Sequence, residues 1–151
     1  MADTRSVQMD GDERDEFLGT GGTGVLAAAQ DADEPPYSLP VSYGYDAEGG
    51  DFYLRLAYSP DSDKNERITD GQHVSLVVYD DESDRWRSVV VTGTLREVTE
   101  AAIDSAVVQA MRRIHIPLVD VFDRHPRELT FRFFTIGTDR ITGRKEARGA
   151  D

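Results

Sequence analysis

Three histidines, His73, His115 and His125, are the only imidazoles in the chain, and none forms an H-x-x-x-H pair or a tight cluster with carboxylates at metal-ligand spacing. No metal site is therefore expected. His73 is placed to open a strand, His115 to end a helix where a cation suits the dipole, and His125 to sit in a turn. Serines occur without the G-x-S-x-G pattern of a nucleophile elbow. The acidic pairs Asp61/Asp63 and Asp80/Asp81 fall in expected loops, where carboxylates mostly serve solvation. Cysteine is absent, which excludes disulfides, thiolate nucleophiles and Cys-ligated metals. The glycine run GTGGTG, Gly19 to Gly24, invites a phosphate-loop reading. No Lys-Ser/Thr follows it, however, and the order is helix, glycines, strand, so it reads as a helix-to-strand turn. No catalytic residue is assigned. Difficult chemistry, if the protein performs any, belongs to a bound cofactor that the protein orients and tunes.

The elements that would position such a cofactor are mostly strands. Asp10 to Glu13 signal the start of a short N-terminal helix carrying Phe17 and Leu18. From Gly24 the segments GVLAAAQ, YSLPVSYGYD and DFYLRLAY, separated by DADEPP and AEGG, read as a strand meander. In the second of these, alternation puts Tyr37, Leu39, Val41, Tyr43 and Tyr45 on one face and the small Ser38, Pro40, Ser42 and Gly44 on the other. Pro40 lacks a donor N–H and suits an edge or a bulge. After SPDSD come a short helical stretch, KNERITDG, the strand HVSLVVYDD, and a long strand WRSVVVTGTLREV in which Gly93 marks a bend. A longer helix is expected from Glu100 to His115, with Ile103, Ala106, Val107, Ala110, Met111 and Ile114 as its apolar stripe over the barrel or a partner subunit. A last strand, RELTFRFFTIGTDRITG, precedes a polar tail. Strands first, one long helix late and no strand-helix alternation predict a mainly β barrel or an α+β sheet, not a doubly wound fold.

The chain has 151 residues, the size of one domain, with an expected core over about 11–143 between polar termini. Net charge is −12, made of 19 Asp and 10 Glu against 15 Arg and only two lysines, Lys64 and Lys145. Such a surface repels nucleic-acid phosphates and anionic lipid, so neither is expected as a partner. Asp excess with Lys loss resembles proteins of salt-loving archaea and leads us to expect a halophilic chain. The first residues lack a basic n-region with an apolar h-region, and no apolar run reaches membrane-spanning length, so a cytoplasmic location is expected.

Taken in order, GVLAAAQ, PYSLPVSYGYD, a Gly-Gly turn, DFYLRLAYSPDSDKNERI, HVSLVVYD and WRSVVVTG resemble the pyridoxamine 5′-phosphate oxidase-like, FMN-binding split-barrel family over roughly Phe17 to Val98. The resemblance implies a six-stranded antiparallel split β-barrel with a short N-terminal helix and one longer helix before the last strand. It also implies a homodimer with FMN in grooves at the subunit interface. In such a barrel Pro40, Val41 and Ser42 would lie along the flavin ring, Ser62 and Lys64 would meet the phosphate, and Tyr58 and Ser59 at the strand end would also belong to the cofactor site.

Where the family pattern is like Ser-Arg-Lys, this chain has Ser62, Asp63 and Lys64. The arginine has become aspartate, or Ser62 merely caps the following helix. Arg87 and Ser88 match a pair that reaches the phosphate or ring edge, and Arg87 is placed to replace the charge lost at Asp63. Tyr58 and Trp86 would stack near the ring or fill the interface, and Arg140 with TGRK would approach from a partner chain or remain solvated tail. The implied activity is FMN-dependent oxidoreduction of an unidentified small molecule. A deazaflavin (F420) reductase and a non-enzymatic or cofactor-free split-barrel dimer are the alternatives.

Overall fold

The computed structural model describes residues 4–58, 63–81, 85–99, 105–116 and 130–148. In chain order the elements are β1 (Thr4–Gln8), α1 (Gly11–Leu18), β2 (Gly21–Ala28), β3 (Tyr37–Asp46), β4 (Asp51–Tyr58), α2 (Lys64–Arg67), β5 (His73–Asp80), β6 (Arg87–Glu97), α3 (Ser105–Arg113) and β7 (Thr130–Arg148). The sheet runs β1-β7-β4-β3-β2-β5-β6, and β6 pairs again with β7. Six antiparallel strands thus close into a barrel, and β1 is added outside the ring.

Local chemistry accounts for much of this. The Asp10 carboxylate caps α1 by accepting the Glu13 backbone N–H at 2.8 Å. Gly50, at φ 72°, turns β3 into β4 and donates its N–H to the Asp46 carbonyl at 2.7 Å. The register shift between Thr92 and Gly93 is the expected bend, where β6 follows the curve of β7. β4 pairs with β3 only over Ser42 to Asp46, so the part of β3 that holds Pro40 has a neighbour on the β2 side alone among the described residues.

The inward rows meet as one core. Leu26, Phe52, Leu54, Leu76, Val89, Val91, Leu95, Phe134 and Ile136 are almost wholly excluded from solvent. Each such side chain contributes about 1.5–3 kcal/mol on leaving water. α1 closes one end with buried Leu18, to which the Tyr43 hydroxyl is tied by donating to the Leu18 carbonyl at 3.1 Å. α2 closes the other end with buried Ile68.

Three boundaries differ from the sequence reading. β2 starts at Gly21, so most of the glycine run is strand: a Cβ on Gly21 would collide with the His115 carbonyl oxygen and lie 2.6 Å from that of Tyr43. The supposed polar tail is the end of β7, paired with β6 and with β1, and β1 itself carries too little apolar alternation to announce a strand. α3 ends at Arg113, so His115 lies two residues past the helix, where its N–H donates to the Thr20 carbonyl at 3.0 Å. Residues 100–104 and 117–129, including the expected helix start, Ile103 and His125, lie outside the described residues. Ala110 and Ile114 of the stripe face the barrel, while Ala106 is exposed: Ala110 is buried, and a Cβ on Gly44 of β3 would be 2.6 Å from Ile114 Cδ1 and 2.9 Å from Ile116 Cγ1.

Gly21→Ala and Gly44→Ala should therefore each lose about 1–3 kcal/mol of stability by overpacking in chemical denaturation. Gly11→Ala, whose Cβ meets only Arg14 Nη2 at 3.9 Å, should lose nothing measurable.

Candidate functional site

Alternation decides which predicted site residues face outward. On β3, Val41 points into the core, while Pro40 and Ser42 lie on the outer face; Pro40 is exposed and Ser42 buried. Cross-strand pairing continues Pro40 into a row with Val25 and Val77, then Val90. Ser38, Ala27, Ser75 and Thr92 flank this row on one side. Ser42, Thr23, Tyr79 and Ser88 flank it on the other, with Tyr79 69% exposed. None of these outward residues is a carboxylate, in a chain of net charge −12. Four strands therefore present rows without charged side chains that carry three of the predicted positions, Pro40, Ser42 and Ser88.

The other predicted positions do not gather there. Tyr58 is a core residue, 3% exposed, with the Arg132 guanidinium 4.9 Å above its ring and no hydrogen-bond partner for its hydroxyl among the described residues. Burial raises its pKa. It is placed to pack, not to stack on a ring outside the barrel. Lys64 opens α2 and donates from Nζ to the Ala57 carbonyl at 2.9 Å. Burial lowers its pKa, against the opposing effect of Asp63. Asp63 itself occupies the helix-cap position without a side-chain cap bond, and its carboxylate accepts from the Tyr37 hydroxyl at 3.3 Å. Ser59 and Ser62 lie outside the described residues.

Arg87 does not replace the charge missing at Asp63 within one chain. Its fork holds Asp80, with Nε to Oδ1 at 3.3 Å and Nη2 to Oδ2 at 2.9 Å, and its guanidinium covers Phe17 of α1 at 4.8 Å. Asp80 ends β5, whereas α2 sits where β5 begins. The length of that strand, about 23 Å, separates the two cations.

Several polar arrangements had no local signal. Gln30 and Gln72 clamp the end of α2: both side-chain amides donate to the Arg67 carbonyl, at 3.0 and 2.8 Å. Gln72 also accepts the Thr69 N–H at 3.1 Å. Beside them opens a cleft of about 510 Å³ lined by Gln30, Asp31, Glu34, Glu66, Arg67 and Asp70, among others. Its one arginine is engaged by Glu34, so the cleft is electrostatically wrong for an anionic cofactor. Arg132 forks onto Glu97 at 2.7 and 3.0 Å. Arg113 at the end of α3 forks onto the buried Asp46 at 2.9 and 2.8 Å and reaches Glu48 at 3.4 Å. Its hydrogen bonds hold the Asp46 carboxyl below the usual carboxylate range, against desolvation.

A closed six-stranded antiparallel barrel with helices at its ends and an uncharged outer face defines a small split-barrel domain. Residues 10–145 match the family model described as pyridoxamine 5′-phosphate oxidase, and the chain belongs to that family. It is similar to a FAD-binding protein from Mesorhizobium loti (24% identity, TM-score 0.63, 97% of this chain and 99% of that one). It is also similar to a candidate pyridoxamine 5′-phosphate oxidase from Corynebacterium glutamicum (19%, 0.67, 99% and 98%). A third likeness is to a FAD-binding protein from Mycobacterium smegmatis (15%, 0.65, 95% and 99%). No curated protein matches the chain.

Because the folded Asp46 is the stronger acid, the Arg113 pair stabilises the fold above the unfolded aspartate pKa of about 3.8, and that contribution is lost as pH falls through the lower folded value. Asp46→Asn should be less stable than wild type at neutral pH, and the gap should shrink in thermal melts taken progressively below pH 4.

Proposed function

We propose that the chain binds a flavin, FMN, against the outer face of β3, β2, β5 and β6, and that it is an FMN-dependent oxidoreductase acting on a small molecule. The uncharged face is the observation that carries this reading. A planar ring needs close backbone approach and an apolar floor, which Pro40, Val25 and Val77 supply, while Ser42 and Ser88 offer hydroxyls at its margin. Family membership and the FAD-binding names of two similar structures support a flavin. When bound, the flavin would supply hydride exchange at N5.

From Ser42, β3 runs about 17 Å to Tyr37, whose hydroxyl meets Asp63 next to Lys64. That line accommodates a ring with a ribityl phosphate chain, and Lys64 then holds the phosphate, whose charge offsets the burial of the ammonium. A second copy closes the groove in this proposal, giving a homodimer. The surface charge makes the chain salt-adapted.

An absorption spectrum of the purified protein should show oxidised flavin, or colourless protein should bind FMN with a micromolar Kd that Lys64→Ala weakens. A colourless protein indifferent to FMN would sink the reading and direct titration to the deazaflavin. The melting temperature should rise between about 0.1 M and 1 M KCl, as the screening length shrinks from about 10 to 3 Å and carboxylate repulsion fades. A flat salt response would mean an ordinary acidic protein.

A further inference from the structure

We infer that Arg140 and Arg144 of β7 form a seat for an oxyanion, a phosphate or carboxylate carried by a small molecule lying across the uncharged face. Arg140 pairs with Thr92, Thr142 with Val90 and Arg144 with Ser88, so β7 extends the outer face of β6 by one strand. Val89 and Val91 point inward and are buried, which places Ser88, Val90 and Thr92 outward, and their β7 partners with them. Both arginines are exposed, and neither has an ion-pair or hydrogen-bond partner among the described residues.

Arg67, Arg87, Arg113 and Arg132 hold carboxylates, and what sets Arg140 and Arg144 apart from the other exposed arginines is their place beside the uncharged rows. The two stand about 13 Å apart along the strand, with Thr142 between them, and each side chain is long enough to reach over it. Hydroxyls of Ser88, Thr92 and Thr142 border the gap, and Val90 continues the apolar row. Along β7 the neighbouring carboxylates stand at the margins, Asp139 at the irregular register and Glu146 two residues beyond Arg144. In a chain of net charge −12, two guanidinium forks here meet an anion beside an apolar floor.

The seat stands without the flavin, and only its use in oxidoreduction rests on the function proposed above. Two sources of the oxyanion fit the same chemistry: the phosphate of the flavin itself, or an acidic group on the substrate.

The test is titration of inorganic phosphate into the full chain at constant ionic strength, read by NMR at the arginine Nε–Hε signals. Saturable shifts are expected at Arg140 and Arg144. Arg140→Ser/Arg144→Ser should weaken phosphate binding at least about tenfold, the worth of one charge-assisted hydrogen bond. Arg112→Ser, at an exposed arginine of α3, should leave it unchanged. Thr142→Glu, which puts a carboxylate between the forks without removing either, should give the same loss and covers the case in which the double variant fails to fold. Titrations with FMN and riboflavin then separate the sources. A loss for FMN alone in the double variant assigns the seat to the flavin phosphate. Equal flavin binding with lost phosphate binding to the flavin-loaded protein assigns it to the substrate. Shifts spread over all arginines without saturation, or a double variant that binds phosphate as wild type does, would overturn the inference.

Discussion

Closure of this barrel depends on one strand, β7, whose first part pairs with β4 on one edge and whose length pairs with β6 on the other. Without it the remaining strands form an open sheet with two exposed edges and a half-covered core. The bend at Gly93, the collar at Tyr58 and Arg132, and the pairing with β1 all follow from how this strand curves. The register shift sits where β6 and β7 approach closely: a Cβ on Gly93 would collide with the Gly137 carbonyl oxygen. A glycine at that point lets both strands bend together, and the inward rows then meet as a single core.

Charge is arranged around that geometry. Four arginines neutralise carboxylates that close packing would otherwise leave exposed to one another or half-desolvated, and all but the Arg87–Asp80 pair tie together segments far apart in the chain. Arg113 holds α3 to the β3–β4 hairpin, Arg132 holds β7 to β6, Arg67 holds α2 to the loop after β2, and Arg87 holds β6 to β5 at the α1 end. Carboxylates are left out of the three rows that run from Ser38, Pro40 and Ser42 across β2, β5 and β6. A uniformly acidic surface would bind nothing anionic and nothing flat; this one has a face that differs in both respects.

Local patterns announced the elements whose causes are local. The Asp10 cap, the alternation in YSLPVSYGYD, the Gly-Gly turn and the break at Gly93 each rest on a few adjacent residues. Family resemblance then supplied the closed ring. The polar ends escaped because β1 and the last part of β7 gain their order from each other, with Thr4 opposite Arg148, and not from an apolar pattern of their own. The site was legible only as far as parity goes. Pro40, Ser42 and Ser88 share a face, as alternation allows, but Val41 next to them points inward. A list of residues along the chain does not say at which end of a barrel each falls, and so Lys64 and Arg87 read as neighbours when a strand length separates them. Asp46 and Arg113, 67 residues apart, left no trace in either segment.

The same dependence on β7 reaches back to the chain's synthesis. Its last strand is also the one that seals the ring, so during translation β4 and β6 wait as open edges while more than thirty further residues of the chain are made. A half-built barrel of this kind is prone to edge-to-edge pairing with its neighbours. Dense like charge on every nascent copy keeps those neighbours apart, so the acidity that surrounds the finished molecule also guards the unfinished one.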